Sequence, residues 1–240
     1  MSYLKKIITP QIYCLLIALS VSINVFAQAE SAHYLDSIKV QLRKEWPKNR
    51  TINLVFHGHS VPSGYFKTPL VNTLQAYPFL AFKLIKEKYP YAVINVIITA
   101  IGGENSVSGQ KRFKRDVLTH KPDVLFIDYA LNDKVIGIKK STKAMSKMIE
   151  AALKKNIKVI LLTPSPHQSF NILDNHNPYE AYTNELIALA KKYNVGLVDS
   201  YHLFKQRVEA GHDVKEYMSQ INHPNEAGHQ IIADAIAQWF

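Results

Sequence analysis

Beyond the first thirty residues, apolar positions alternate between two spacings along the chain. Five short runs, INLVF (52–56), VINVII (93–98), VLFID (124–128), KVILLT (158–163) and VGLVD (195–199), are rich in β-branched residues and almost continuously apolar. A run that is apolar at successive positions keeps neither face in water, so these read as strands buried on both faces. Residues 31–46, 71–88, 109–119, 141–155 and 178–193 instead place apolar residues at helical spacing, and a last helix is expected from about Pro224 to Trp239. Strands alternating with helices imply right-handed crossovers. The pattern therefore predicts an α/β chain, a three-layer α/β/α sandwich around a central five-stranded parallel sheet. No internal repeat, low-complexity tract or interdomain linker interrupts it.

The N-terminus departs from this pattern. Lys5 and Lys6 precede an apolar run from Ile12 to Phe26, and Val25 and Ala27 are small residues placed for signal-peptidase recognition. The run is shorter than the roughly 20 residues that a spanning helix needs. Residues 1–27 are therefore expected to be a signal peptide, cut after Ala27 or Ala29, with 28–240 forming one exported domain in the periplasm or outside the cell. No integral membrane segment would remain. Export also changes the reading of cysteine, because the sole cysteine, Cys14, lies inside the leader. The mature chain would have no disulfide and no thiol nucleophile. Losing Lys5 and Lys6 leaves 27 of the 29 basic residues against 19 acids, a formal +8. The lysines are scattered over helix faces (KLIKEK, ALKKN, LAKKY) and form no block with interleaved aromatics, so nucleic acid is not an expected partner.

In a parallel sheet of this kind, ligands bind beyond the C-terminal ends of the strands. HGHSVPSG follows the first strand, TAIGGENS the second, YALND the third and PSPHQSFNILDNHNPY the fourth. QINHPNEAGH enters the last helix and can return to the same edge. Ser60 would sit at a strand-to-helix junction, where its own amide could stabilise an oxyanion. Its glycines do not fit the G-x-S-x-G elbow of ordinary α/β-hydrolases, since Pro62 stands two residues on. Nor is this a phosphate loop, because Lys67 and Thr68 come too late. Taken alone, such a serine is as well explained as a helix cap. His57 and His59, two apart in a strand, could instead share a metal with His223 or His229, although a single H-x-H is a weak signal.

Taken together, four blocks resemble the SGNH/GDSL hydrolases, a flavodoxin-like fold named for Ser, Gly, Asn and His. They are FHGHSVPSGY, with Gly58-His59-Ser60 where Gly-Asp-Ser is usual; IGGENS, with Gly103 the better match and Gly102 its neighbour; YALND, with Asn132 and with Ala130 replacing a glycine; and NHPNEAGH, with His223. The resemblance implies a serine esterase without cofactor or metal. Ser60 would be the nucleophile, His223 the general base, and the Ser60 and Gly103 amides with the Asn132 side chain the oxyanion hole. One position departs. Gln220 stands where the family usually has an acid three residues before the histidine. A Ser-His dyad, a substitute acid (Glu104, Asp133 or Asp174) and loss of activity all stay open. Asp199 is a weaker substitute, because an Asp at a strand end often caps the next element.

The long loop from Pro164 to Tyr179 carries His167, Gln168, Asn171, Asp174, His176 and Asn177 around Phe170. It suits sugar hydroxyls or simply water. His59, His167 and Asn171 are the expected substrate contacts, and His229 is expected to face a neighbouring helix. The expected substrate is an acylated, most plausibly acetylated, carbohydrate or another small ester. Alternatives are a lipid or lysophospholipid esterase, which calls for a more apolar loop over 165–178, a catalytically silent glycan-binding protein, and a His-ligated metal hydrolase.

Overall fold

The computed structural model describes residues 31–240, so the expected leader with Cys14 lies outside the described residues. Five strands form the central sheet: β1 (Thr51–Gly58), β2 (Val93–Ile98), β3 (Val124–Asp128), β4 (Lys158–Leu162) and β5 (Gly196–Val198). All neighbours pair in parallel, in the order β2-β1-β3-β4-β5. The helices are α1 (Ser31–Tyr34), α2 (Asp36–Leu42), α3 (Tyr77–Lys88), α4 (Ser106–Asp116), α5 (Ala130–Asp133), α6 (Ile138–Leu153), α7 (Pro178–Tyr193), α8 (Ser200–Glu209) and α9 (Glu226–Ala237).

Alternation along each strand divides the interior in two. Leu54, Phe56, Val124, Phe126, Ile160 and Leu162 pack with residues of α2, α3, α8 and α9. Their sequence neighbours Val55, Leu125, Ile127, Val159 and Leu161 pack with α4, α6 and α7 on the other face. Successive side chains point to opposite faces of a strand, so a continuously apolar run fills both layers at once. The expected α/β/α architecture follows directly. Among the described residues no helix is long and apolar enough to cross a membrane.

Three expectations need correction. VINVII forms β2 at one edge of the sheet, and every one of its residues is exposed or half-buried, so it is not buried on both faces. The run's composition does not distinguish an edge from an interior position. The helix expected over 31–46 breaks at Leu35 and ends at Leu42, and 71–76 is a loop with one 3-10 turn before α3. SYHLFKQRVE forms α8, which the sequence reading lacked; Asp199 caps it by accepting the His202 N–H at 3.2 Å. A small antiparallel hairpin was also unforeseen: β6 (Met218–Gln220) pairs with β7 (His223–Pro224) just before α9.

Candidate active site

The first and third strands come together closely where the site begins. Gly58 is paired with Asp128, and a Cβ on Gly58 would collide with the Asp128 carbonyl oxygen. Glycine is required here by this close approach. Just beyond, the His59 N–H donates to that carbonyl at 3.3 Å, and the chain turns into a loop. The Tyr65 N–H donates back to the Ser60 carbonyl at 3.1 Å, and Tyr65 bridges to Val71. Ser60 therefore sits in a self-bonded excursion of the chain well ahead of α3, and it caps no helix.

Its hydroxyl meets the β6–β7 hairpin. Ser60 Oγ lies 2.9 Å from His223 Nε2, both residues being buried. Ser219 Oγ donates to the carbonyls of His223 and Pro224 at 3.1 and 3.0 Å, which holds the hairpin closed. The long loop after β4 braces it from outside: the Gln168 N–H donates to the Ile221 carbonyl at 2.7 Å and Gln168 Nε2 to the Gln220 carbonyl at 3.0 Å.

The far nitrogen of the imidazole has two neighbours that make opposite demands. His223 Nδ1 lies 2.8 Å from the Phe66 carbonyl oxygen, which can only accept, and 2.7 Å from Gln220 Nε2, which can only donate. Gln220 Oε1 accepts the Thr68 N–H at 3.0 Å, and this bond turns the amide nitrogen toward the imidazole. With Nδ1 protonated toward Phe66, Nε2 is bare and can accept the Ser60 hydroxyl proton. With Nδ1 bare toward Gln220, Nε2–H points at Ser60 and cannot. Burial holds the His223 pKa below its ordinary value, the Phe66 carbonyl opposing this and the nearby His59 adding to it.

Residues carrying three N–H groups line the same cleft as this hydroxyl. Asn132 lies in α5, directly after β3, and its Nδ2 donates to the Glu104 carbonyl at 2.9 Å. An amide NH2 carries a second hydrogen, and the bond to Glu104 fixes which end faces the cleft. Gly103 adopts φ +78°, a conformation that only glycine takes readily, in the loop between β2 and α4. Among the described residues, neither the Ser60 N–H nor the Gly103 N–H donates to a protein acceptor. Asp133 secures this arrangement by accepting the Ser106 N–H at 2.8 Å and the Ser141 hydroxyl at 2.7 Å, which ties α5 to the start of α4. Ser60, Tyr65, Thr68, Gly102, Gly103, Asn132, Gln220, Asn222 and His223 line an open cleft of about 310 Å3.

The expected substitute acids are all engaged elsewhere. Glu104 is paired with Arg112 (Oε1 to Nε, 2.8 Å) and accepts the Tyr129 hydroxyl at 2.8 Å. Asp133 holds Ser106 and Ser141, and burial raises its pKa. Asp174 is exposed and bonded to His176, whose N–H lowers its pKa. None of the three is a hydrogen-bond partner of His223.

The histidine pair separates as well. His57 Nδ1 meets Thr99 Oγ1 at 2.9 Å, its Nε2 meets the Tyr129 hydroxyl at 3.1 Å, and burial lowers its pKa to about 4. His59 Nδ1 accepts the Val61 N–H at 3.2 Å, and its Nε2 approaches Asp128 Oδ1 at 3.2 Å without the alignment of a hydrogen bond. Among the described residues no three His, Cys, Asp or Glu side chains converge as a metal site. His229 accepts the Tyr77 N–H at the start of α3 at 3.1 Å and stacks on Phe66, and burial lowers its pKa to about 3.

The expected substrate contacts fare differently from the four blocks. None of His59, His167 and Asn171 lines the cleft. His167 stacks on Tyr179, and Asn171 accepts the Leu173 N–H at 3.0 Å, so both serve the loop's own structure. Tyr65, Phe66, Thr68 and Asn222 were not foreseen. Phe66 acts through a backbone carbonyl, which every residue type carries, so no signal in the sequence could have marked it.

Comparison with known proteins identifies the family and the fold. The sequence profile of the GDSL-like Lipase/Acylhydrolase family matches residues 56–231. No curated protein matches the chain in sequence. An acetylxylan esterase from Geobacillus stearothermophilus superposes with a TM-score of 0.67 at 21% identity, covering 77% of this chain and 91% of its own. Its catalytic mutants change a serine, and an aspartate and a histidine three residues apart. A GDSL-like lipase structure from Parabacteroides merdae gives 0.68 at 16% identity, with coverage of 78% and 94%. A two-domain esterase active on acetylated mannans gives 0.71 at 21% identity and covers 86% of this chain, which spans about half (52%) of that protein. The chain belongs to the GDSL-like lipase/acylhydrolase family and is a carboxylic ester hydrolase.

Proposed function

We propose that this esterase is exported and removes short acyl groups, acetyl above all, from a carbohydrate, with Ser60 as nucleophile and His223 as its base. The observation that carries the reading is the 2.9 Å contact between Ser60 Oγ and His223 Nε2, in a cleft that Gly103 and Asn132 also line. Ser60 Oγ attacks the ester carbonyl as its proton passes to His223 Nε2. The Ser60 and Gly103 amides and the second Asn132 N–H stabilise the oxyanion. His223 then returns the proton to the leaving alcohol, and a water activated by the same nitrogen releases the acid. Export rests on the expected 1–27 leader, which would leave 28–240 as the working domain.

Two features support a small acyl group on a sugar. The cleft walls are amide, hydroxyl, imidazole and glycine apart from the Tyr65 ring, which closes against Gly102, so a fatty chain finds no apolar channel. The similar structures include esterases acting on acetylated xylan and mannan. A panel of p-nitrophenyl esters from acetate to octanoate, run with and without chelator, tests the reading. Rates should fall steeply beyond acetate or propionate and ignore the chelator. An octanoate optimum would favour the lipid esterase, and chelator-sensitive turnover would favour metal chemistry.

Gln220 should limit the rate. A carboxylate at 220 would accept the Thr68 N–H with one oxygen and His223 Nδ1–H with the other, removing the competing tautomer and stabilising the imidazolium. The expected result for Gln220→Glu, which keeps the length of the side chain, is a gain in kcat/KM of about tenfold or more, or at least ~1.4 kcal/mol of transition-state stabilisation. The pH profile supplies a second readout. Neutral His223 is the base, so its lowered pKa places the acid limb below the ordinary histidine value of 6.5. A new carboxylate favours the charged imidazole and should move that limb upward. An unchanged rate with an unchanged limb would mean that the Phe66 carbonyl already suffices.

A further inference from the structure

Exposed apolar side chains are concentrated on the edge of the sheet that carries this cleft. Of twelve large apolar side chains exposed among the described residues, eight lie in loops or at a helix start on the C-terminal edge of the sheet. Four of them lie within three residues of cleft-lining positions, on four separate loops. Leu70 is two residues beyond Thr68, and Ile101 directly precedes Gly102. Val135 donates its N–H to the Asn132 carbonyl at 3.3 Å, and Ile221 stands between Gln220 and Asn222. Their exposures are 54%, 50%, 82% and 50%. Scattered exposed apolar residues are ordinary, but a set gathered at one site marks a contact surface.

We infer that this rim binds the acyl groups on neighbouring sugars, so that the enzyme prefers densely acylated glycan chains to sparsely acylated ones. The inference rests on the carbohydrate reading above. The apolar side chains stand outside the reaction cleft, whose own walls are polar apart from Tyr65. A fatty acyl group would need a run of apolar walls beside Ser60, where the Tyr65 ring stands alone. What passes over the rim is the alcohol side of the ester. A bare glycan offers that rim hydroxyls, which gain nothing from Leu, Ile or Val. Acetylated neighbours offer methyl groups, whose burial is favourable. Affinity for the polymer would then fall as deacylation proceeds, which releases the enzyme from the finished product.

The test compares initial rates per acetyl group on densely and sparsely acetylated xylan, with p-nitrophenyl acetate as the measure of intact machinery. Wild type should favour the dense polymer about fivefold or more in kcat/KM, the order expected for burying one or two methyl groups. Val135→Ser with Ile221→Ser should remove that preference while keeping p-nitrophenyl acetate turnover within about twofold. If the pair fails to fold, Val135→Ser alone, at the most exposed of the four positions, should halve the preference or more. Equal wild-type rates on the two polymers, or a preference that survives the substitutions, overturns the inference. Hydrolysis of p-nitrophenyl acetate with no acetylated glycan accepted would overturn the carbohydrate reading and the rim together, leaving the serine mechanism in place. Sedimentation with phosphatidylglycerol vesicles, lost in the same variants, would assign the rim to a lipid surface and also overturn it.

Discussion

Ser60→Ala should abolish ester hydrolysis, lowering kcat by about 10⁴- to 10⁶-fold, the range seen when the nucleophile of a serine hydrolase is removed. The expectation follows from how little else the hydroxyl does. Ser60 Oγ has His223 Nε2 as its hydrogen-bond partner, while the bond that shapes the turn comes from the Ser60 carbonyl and survives the substitution. Thermal stability should therefore change by no more than about 1 kcal/mol, the worth of one hydrogen bond. Steady-state rates on p-nitrophenyl acetate, paired with a melting curve, separate the two effects. Full loss with an unchanged melt supports the nucleophile. Retained activity would sink the assignment, and loss with a collapsed melt would mean that Ser60 had been structural.

The second large effect is expected at Asn132. Asn132→Ala removes the side-chain donor to the oxyanion and should lower kcat by about 10²- to 10³-fold with little change in KM, because the donor acts on charge that develops in the transition state. Asn132→Asp sharpens the test. It keeps the shape but replaces the NH2 with oxygen, setting a carboxylate against both the Glu104 carbonyl and the developing oxyanion. It should be at least as damaging as alanine. An Asn132→Asp enzyme within tenfold of wild type would place the oxyanion elsewhere. A rise in KM alone would make Asn132 a substrate-binding group.

Much of this site was legible in the sequence because its chemistry resides in side chains and in one glycine conformation. Ser60, Gly103, Asn132 and His223 each occupy a loop that the alternation of strands and helices had already assigned to one edge. The supports of His223 were not legible. Phe66 contributes a carbonyl, which carries no residue signature, and its position depends on a loop whose turns are fixed by backbone bonds such as that from Tyr65 to Ser60. His167 and Asn171 lie outside the cleft lining, and the sequence could not show this for a related reason. A polar residue in a loop can face a ligand or cap its own turn, and only the fold distinguishes these.

By itself, the sequence determined the parallel sheet and the order of the loops along its edge. Apolar periodicity is local, and a β-strand buried on both faces has few other ways to form. It also marked the four residues proposed here for ester chemistry. Tertiary structure alone decided which strands would lie at the two edges, that His57 and His59 would part to separate partners, and that Glu104, Asp133 and Asp174 would be committed elsewhere. It also decided how Gln220 is held. Between the Thr68 amide and the His223 imidazole, a neutral amide cannot satisfy both donors as an acid would. Hydrogen-bond complementarity depends on distances between segments far apart in the chain, and residue identity does not record those distances.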